Sequence, residues 1–466
     1  MSVFFCPSSG YLGDVIPFYR QGLHHAFYLR TPPPPLRTGA VGTPWAHLVS
    51  RDLVHWEEWP DAIAPGREGE PDSAGCWTGC VIEREGIFYL YYTGSVGRGR
   101  PQTVCLATSR DLRAWTKHPH NPIVVADPRW YEPNDWRDPF VFWNDQAGEY
   151  WMLLAARTLD GPANRRGCTA LVASPDLATW EVREPIWSPR LFYTHECPDL
   201  FPWGDDLALV FSTFDPESAT HYRLAPSLAG PWRAVGASVF DARACYAQKT
   251  DSDGQRRFSY GWIPTRAGET DAGAWEWAGV LTVHECVPQQ GGGIGLNMLP
   301  ELAACWPTPV AAGLQPVFGA WQERDSVYSA DSPGGLAACL LAQMPDACRI
   351  EATIDCKEPP RACGLLLRAD AGLDNCYQLR WEPDANRLVF DRSPKPRGEA
   401  FLLERTLPAG GSHTLHLNIL VDGTAVVIYA NDCVAFCNRA YDHRAGAVGL
   451  FVTDGAASFS AVRVSA

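Results

Sequence analysis

The chain has 466 residues, too many for one ordinary hydrophobic core, which indicates two or more domains. Its formal net charge is −14 without a long run of like charge, which argues against a nucleic-acid or anionic-membrane partner and favours a neutral ligand. The 19 Trp, 16 Tyr and 19 Phe, with 41 Gly and 39 Pro, favour an all-β protein with many tight turns.

The chain begins Met-Ser-Val-Phe-Phe-Cys-Pro, without the basic and apolar regions of a signal peptide. No apolar stretch approaches the roughly 18 residues of a membrane span. The 16 cysteines are therefore expected to be reduced and mostly buried, and the protein to be cytoplasmic. No phosphate-binding loop, dinucleotide fingerprint, HExxH zinc motif or GxSxG elbow occurs.

Three acids precede strand-like runs along the first half of the chain. Asp14 comes before the strand at Phe18 and Tyr19, Asp138 opens a run of apolar residues, and Glu196 stands before Cys197. One acid in such a place is more often a turn or cap than a catalyst. Three acids in equivalent places are stronger evidence of a catalytic site.

A short motif of the form Ser-x-Asp-Leu-x-x-Trp recurs after pairs of alternating strands. The three full copies are Ser50-Arg51-Asp52-Leu53-Val54-His55-Trp56, Ser109-Arg110-Asp111-Leu112-Arg113-Ala114-Trp115 and Ser174-Pro175-Asp176-Leu177-Ala178-Thr179-Trp180. Repeating units of about 50–65 residues with about four short strands are typical of propeller blades. A solenoid is the competing interpretation, but variable spacing favours radial closure.

Units beginning near residues 10, 76, 136, 196 and 244 predict a five-bladed β-propeller over residues 1–300. In a propeller the first strand of each blade lines the central axis. Asp14, Asp138 and Glu196 occupy equivalent early positions in the first, third and fourth units. We therefore expect their side chains to meet in one funnel.

Residues 301–324 are rich in Pro and Ala and are predicted to be a linker. Residues 325–466 contain longer alternating runs without the blade repeat, which predicts a C-terminal β-sandwich. The run Pro32-Pro33-Pro34-Pro35 predicts a stiff loop at the rim of the first blade.

Carboxylates that meet in one cavity are suited to hydrolysis of a sugar acetal. A retaining glycosidase needs a nucleophile and an acid/base about 5–5.5 Å apart, whereas an inverting one separates its two carboxyl groups by about 6.5–9.5 Å. A third acid can stabilise developing positive charge and accept hydrogen bonds from sugar hydroxyls. Neighbouring carboxylates and burial would help to keep the proton donor protonated.

Several motifs together resemble glycoside hydrolase family 32, which includes invertases, inulinases and levanases. They are Arg137-Asp138-Pro139, Glu196-Cys197, Gly75-Cys76-Trp77-Thr78-Gly79, Trp45-Ala46-His47 with the repeat that follows it, and Trp277-Ala278-Gly279-Val280-Leu281-Thr282. The resemblance implies a five-bladed propeller with a β-sandwich. It also implies retaining attack on a β-fructofuranoside without a metal or cofactor, and a small oligosaccharide or glycoside as the substrate.

Carried over by motif, Glu196 would be the acid/base, Asp138 the stabiliser and Asp14 the nucleophile. The nucleophile motif diverges, because the family reads WMNDPNG where this chain reads Tyr11-Leu12-Gly13-Asp14-Val15-Ile16-Pro17. Leu29 replaces a family Gln, and His284-Glu285 replaces a family Pro-Arg. These changes remove polar contacts to the sugar, so the substrate is expected to differ from sucrose, inulin or levan.

Four further residues are candidates for substrate binding: Trp77, Trp262, Arg137 and His47. Both tryptophans could stack on a sugar or belong to the core. Arg137 could bind a hydroxyl or hold Asp138 or Glu196, and His47 could lie near the funnel or be a core histidine. Two other functions stay open, an inverting arabinofuranosidase-like hydrolase and a sugar-binding propeller without catalysis. The sequence does not indicate the oligomeric state.

Overall fold

The computed structural model describes residues 2–32, 42–395, 402–408 and 413–466. Its regular structure consists of β-strands and, within those ranges, three short 3-10 helices at Ala163–Arg165, Ala267–Glu269 and Pro300–Cys305. The prediction of an all-β protein is confirmed. Pro33, Pro34 and Pro35 lie outside the described residues. Nowhere in the described ranges is there a helix with the length and apolar character needed to cross a bilayer.

The first three blades are antiparallel meanders of four strands each. The first blade comprises β1 (Tyr11–Arg20), β2 (Leu23–Thr31), β3 (Trp45–Ser50) and β4 (Glu57–Ile63). The second comprises β5 (Gly75–Arg84), β6 (Ile87–Ser95), β7 (Thr103–Ser109) and β8 (Thr116–Lys117). The third comprises β9 (Tyr131–Asn144), β10 (Glu149–Thr158), β11 (Gly167–Ser174) and β12 (Glu181–Trp187).

The fourth blade has three strands and the fifth has four. The fourth comprises β13 (Glu196–Trp203), β14 (Asp206–Thr213) and β15 (Ala219–Ala225). The fifth comprises β16 (Tyr246–Ser252), β17 (Arg257–Arg266), β18 (Trp275–Pro288) and β19 (Ile294–Asn297). Isolated bridges from β15 to Val239 and Arg233 take the place of a fourth strand in the fourth blade.

The first strands of the five blades form a closed ring. Strand β1 contacts β5 and β16, β9 contacts β5 and β13, and β13 contacts β16. A pair between Leu12 in β1 and Gly279 in β18 also joins the first and last blades into one sheet. The predicted five-bladed propeller is confirmed, and these inner strands surround its axis.

The recurring sequence motif forms the turn after the third strand of each of the first three blades. In the first copy, Ser50 Oγ accepts the N–H of Leu53 at 2.8 Å, and Asp52 Oδ1 accepts the N–H of His55 at 2.8 Å. Leu53 has a φ of 64°, so these side-chain acceptors hold a backbone conformation that Leu rarely adopts. The copies at Ser109 and Ser174 make the same two kinds of hydrogen bond.

The C-terminal region is a β-sandwich, as predicted, with twelve strands in one continuous pairing network. Its strands are β20 (Gln315–Phe318), β21 (Trp321–Arg324), β22 (Val327–Gln343), β23 (Ala347–Asp355), β24 (Ala362–Ala369), β25 (Cys376–Glu382), β26 (Arg387–Ser393), β27 (Leu403–Thr406), β28 (Thr414–Asp422), β29 (Ala425–Ala430), β30 (Val434–Arg439) and β31 (Ala447–Ser465). Ile350, Leu379 and Ile419 belong to its buried apolar core.

The segment at 301–324, predicted as a linker, differs from that expectation in its second half. Strands β20 and β21 fall inside it and pair with β22. Trp321 packs against the sandwich core, which explains why these residues join the sheet. The two units also share a core, because Tyr429 and Cys437 of the sandwich belong to the same buried cluster as Tyr260 and Leu281 of the propeller.

Candidate active site

Each inner strand of the propeller carries a β-bulge. The irregularity includes Asp14 in β1, Thr78 in β5, Asp138 in β9, Cys197 in β13 and Ala247 in β16. A bulge leaves one residue unpaired and re-aims the side chains around it. Because the bulge recurs at the same level of the ring, it presents polar side chains from different blades to one space.

Asp14 is held across the boundary between the first two blades. Its Oδ2 accepts a hydrogen bond from Thr78 Oγ1 at 2.7 Å. Burial, together with the negative charges of Asp138 and Glu196, raises the pKa of Asp14 to about 7, although the hydrogen bond from the Thr78 hydroxyl opposes the shift. The three acids are therefore close enough to interact electrostatically.

Asp138 has a φ of 61°, the left-handed conformation that a bulge position can require. Its backbone N–H donates to Thr93 Oγ1 at 2.7 Å, and its Oδ2 accepts the N–H of Cys197 at 2.9 Å. Burial raises the pKa of Asp138; Arg137 lowers it and Glu196 raises it. Asp138 is thus held through its backbone by the second blade and through its carboxylate by the fourth.

Glu196 receives two hydrogen bonds from different blades. Arg137 Nη2 donates to Glu196 Oε1 at 2.8 Å, and the hydroxyl of Tyr246 donates to Oε2 at 2.5 Å. Arg137 also donates to Asp135 Oδ1 at 2.5 Å, and its Nε lies 3.8 Å from Asp138 Oδ2. Burial opposes ionisation of Arg137, but Glu196, Asp138 and Asp135 together hold its pKa above the usual value.

These groups line one cavity of about 840 Å³ at the hub of the propeller. Its wall combines the three acids with aromatic and cationic side chains. The aromatic, apolar and cationic side chains on the wall include Leu29, Trp77, Arg98, Arg137, Tyr193, Arg243, Tyr246, Trp262 and Trp277. A concave site with a few convergent polar groups on an aromatic wall is suited to a sugar.

The structure places Trp77, Trp262 and Arg137 on this wall, as the sequence interpretation required, but not His47. His47 is 1% exposed, its Nε2 lies 2.9 Å from His25 Nδ1, and its ring stacks on Phe27 with centroids 4.0 Å apart. It therefore packs in the core of the first blade, because its register in β3 directs it into the layer of aromatic side chains.

Sequence reasoning did not assign roles to Thr78 and Tyr246, which hold Asp14 and Glu196. Tyr246 opens its inner strand, and Thr78 lies in the bulge of another, as Asp14 and Asp138 do in theirs. Their positions within the repeating units, close to those of the acids, were the signal that could have identified them. It was applied only to carboxylates, so the hydroxyl donors on the second and fifth blades were missed.

Family profiles match most of the chain. A profile described as "Glycosyl hydrolases family 32 N-terminal domain" matches residues 5–290, and one described as "Glycosyl hydrolases family 32 C terminal" matches residues 325–466. The chain belongs to glycosyl hydrolase family 32. The resemblance drawn from the motifs is thereby confirmed.

Curated relatives agree with membership of family 32. A β-fructofuranosidase, insoluble isoenzyme 1, from Daucus carota is 30% identical over 321 residues, which cover 60% of this chain and 51% of the relative. Fructan 1-exohydrolase w2 from Triticum aestivum is 27% identical over 332 residues, which cover 64% of this chain and 53% of the relative. The chain spans about half the length of the curated relatives it matches.

Solved family 32 structures share the fold along almost the whole chain. Sucrose-6-phosphate hydrolase from Lactobacillus gasseri has a TM-score of 0.76 at 20% identity, covering 100% of this chain and 92% of that structure. Exo-inulinase from Aspergillus awamori has a TM-score of 0.74 at 17% identity, covering 99% and 96%. The propeller and sandwich are therefore the fold of these proteins.

Two departures from the family motifs have different structural outcomes. Leu29, in place of a family Gln, lies on the cavity wall and makes that part of it apolar. His284, which stands with Glu285 in place of a family Pro-Arg, lies away from the cavity wall at the boundary with the sandwich, where its Nδ1 is 2.9 Å from the hydroxyl of Tyr429.

Proposed function

We propose that this protein is a retaining glycoside hydrolase that removes a β-fructofuranosyl unit from a small substrate. One observation carries the proposal: Asp14 and Asp138 lie in bulges of two inner strands, Glu196 lies directly before the bulge of a third, and all three line one cavity. Family membership and the named activities of the relatives favour a fructofuranoside over an arabinofuranoside.

Asp14, in its ionised form, attacks the anomeric carbon, and a covalent fructosyl-enzyme forms as the bond to the leaving oxygen breaks. Glu196 gives its proton to that oxygen. In the second half of the reaction Glu196 takes a proton from water, which displaces Asp14 and releases the sugar with its original anomeric configuration. Arg137 and Tyr246 position the Glu196 carboxyl through both halves.

Asp138 acts without changing its covalent bonds. Its carboxylate lies in the same cavity and interacts electrostatically with Asp14 and Arg137. Negative charge at this place stabilises the positive charge that develops on the sugar ring, and it accepts hydrogen bonds from ring hydroxyls. Two neighbouring acids also raise the energy of an ionised Asp14, so loss of that charge in the covalent step relieves repulsion.

Site-directed variants test the proposal directly. Asp14→Asn should lower kcat by at least about 10³-fold, because the nucleophile is lost. Glu196→Gln should lower it by about 10²–10⁴-fold, the usual range for an acid/base. Asp145→Asn, at an exposed turn, is the control and should leave kcat unchanged. Near-normal turnover by either site variant would remove that residue from the mechanism.

The stereochemistry distinguishes a retaining from an inverting reaction. Carbon-13 NMR at C2 of the first-formed fructose should show the β anomer before mutarotation, whereas the α anomer would indicate inversion. A panel of sucrose, 1-kestose, sucrose 6-phosphate and an arabinofuranoside, with mass-spectrometric product detection, defines the substrate. The phosphorylated sugar belongs in the panel because Arg98 and Arg243 line the cavity. Release of no sugar from any member would instead favour a binding protein.

A further inference from the structure

A second group of side chains, each able to bind a metal ion, lies where the propeller meets the sandwich. Asp241, Cys245, His284 and Cys437 each offer one ligand atom, and these atoms all lie within 4.8 Å of one another. None of the four belongs to the lining of the hub cavity. The catalytic mechanism above does not use them.

The four residues, called here the boundary cluster, come from three parts of the fold. Asp241 and Cys245 precede β16, His284 lies in β18, and Cys437 lies in β30 of the sandwich. All four are 0% exposed. Polar and thiol groups from two structural units therefore converge in a place that water does not reach.

The ring contacts of His284 suit a metal ligand. Its Nδ1 lies 2.9 Å from the hydroxyl of Tyr429, and its Nε2 lies 3.9 Å from Cys437 Sγ. Ligating histidines usually donate their other ring N–H to an oxygen, which orients the ring. With Nδ1 donating to Tyr429, Nε2 carries a lone pair whose neighbours are Cys437 Sγ and the Thr282 hydroxyl, the latter at 3.3 Å.

Asp241 is a buried carboxylate whose negative charge is only partly balanced by its neighbours. It accepts N–H groups from Ala242 at 2.6 Å and from Cys437 at 3.1 Å, and among the described residues it forms no ion pair within 4 Å. Arg405 is the cation that interacts with it at longer range. A buried carboxylate is costly unless it is paired or bound to a metal.

We propose that the boundary cluster binds one Zn²⁺ ion through two thiolates, one imidazole and one carboxylate. This donor set matches the four-coordinate structural sites that zinc prefers. Zinc–sulfur and zinc–nitrogen bonds of about 2.3 and 2.0 Å require ligand atoms roughly 3.3–3.8 Å apart, so the cluster needs to contract by about 1 Å. On binding, Cys245 and Cys437 each release a proton to solvent.

The charges of such a site would balance. Two thiolates and one carboxylate around a divalent ion leave one net negative charge, and the guanidinium of Arg405 is the adjacent positive group. The ion would be structural, since all four positions are filled by protein and none is open for substrate. It would join the sandwich to the segment that carries Arg243 and Tyr246 into the hub cavity.

A disulfide between Cys245 and Cys437 is the rival use of the same atoms. Their sulfur atoms lie within 4.8 Å of each other, and both thiols are free in the structure. An oxidised pair could not supply two thiolates, so the two outcomes exclude each other. Thiol counting under denaturing conditions, with and without reductant, tells them apart.

The test starts from the reduced full-length protein, incubated with Zn²⁺ and then freed of loose metal by gel filtration. Mass-spectrometric metal analysis should give one zinc per chain. Cys245→Ser and Cys437→Ser should lose that zinc, whereas Cys286→Ser, at a buried cysteine of the same strand as His284, should retain it. Replacement by Co²⁺ should produce visible tetrahedral bands and a sulfur-to-cobalt charge-transfer band.

These readouts use no enzyme assay, so they stand whether or not the fructofuranosidase proposal holds. Zinc well below one per chain, or Co²⁺ spectra without the charge-transfer band, would overturn the proposal, as would a Cys245–Cys437 disulfide in the protein purified without reductant. The wild-type cobalt spectrum decides the matter even if the serine variants do not fold. A chelator should also lower the thermal unfolding temperature of wild type but not of Cys437→Ser.

Discussion

The hydroxyl of Tyr246 donates a hydrogen bond to Glu196 Oε2 across the boundary between the fourth and fifth blades. The two residues are 50 positions apart in sequence and meet because both open an inner strand. Together with Arg137 on the other oxygen, this contact fixes the orientation of the Glu196 carboxyl, the proposed acid/base. It makes Tyr246 a positioning residue for the proposed reaction.

Tyr246→Phe removes this hydrogen bond with little change in shape. A hydrogen bond to a charged group contributes about 1.5–3 kcal/mol, so kcat/KM should fall by roughly 10- to 100-fold. Steady-state kinetics on the substrate found by the panel measure the effect. Tyr193→Phe removes another cavity hydroxyl and should cost less than about 3-fold. Equal losses in both variants would contradict a specific role for Tyr246.

The ionisation of Asp14 should appear in the pH profile. Burial raises its pKa to about 7, and the attacking form is the carboxylate, so kcat/KM should fall as pH drops through about 7. Thr78→Val removes a hydrogen bond that favours the carboxylate. The acidic limb of the pH profile should then shift to higher pH by roughly one unit, because the lost hydrogen bond contributes at least about 1.4 kcal/mol, the equivalent of one pKa unit.

Thr78→Ser is the matched control for that experiment, since it keeps the hydroxyl. Its acidic limb should coincide with that of wild type. If the acidic limb of Thr78→Val lies at the same pH as that of wild type, the limb arises from the titration of a group other than Asp14.

Because its pKa is raised, the ionised Asp14 lowers the stability of the folded protein at neutral pH. A carboxyl whose folded pKa lies above its unfolded value stabilises the fold below the unfolded pKa, and this stabilisation is lost as pH rises toward about 7. Asp14→Asn removes the group, so its stability relative to wild type should increase between pH 5 and pH 8 by on the order of 2 kcal/mol. Urea unfolding at the two pH values measures the difference, and a constant difference would contradict the shift.

His47 should affect stability rather than turnover. Burial lowers the pKa of His47 and lowers that of its neighbour His25 to about 4. Histidines with depressed folded pKa values stabilise the protein above about 6.5 and lose this contribution as pH falls toward 4. His47→Gln should therefore show a weaker loss of stability than wild type between pH 7 and pH 5, with kcat/KM changed less than about 3-fold. A large loss of kcat/KM would instead favour a role in binding.

Asp271 connects the propeller to the sandwich. Its Oδ2 accepts the hydroxyl proton of Tyr377 at 2.6 Å, and its Oδ1 accepts the N–H of Tyr441 at 2.9 Å. Asp271→Asn should lower the free energy of unfolding by about 1–3 kcal/mol, because a buried acceptor of charge-assisted hydrogen bonds is lost. Asp384→Asn, at an exposed turn, is the control and should change stability by less than about 0.5 kcal/mol.

Local sequence patterns determined the β-strands, the repeated turns, the number of blades and the three acids. A motif such as Ser50 with Asp52 specifies its own turn because its hydrogen bonds join residues three positions apart. The acids could be found because they stand at equivalent points of that repeat.

Only the tertiary structure decided what those acids touch. Thr78 reaches Asp14 over 64 positions, and Cys437 approaches His284 over 153. It also decided that His47 packs in the core and that residues 315–324 pair with the sandwich. Such contacts depend on how blades and layers close against one another, and a pattern spanning a few residues carries no information about that closure.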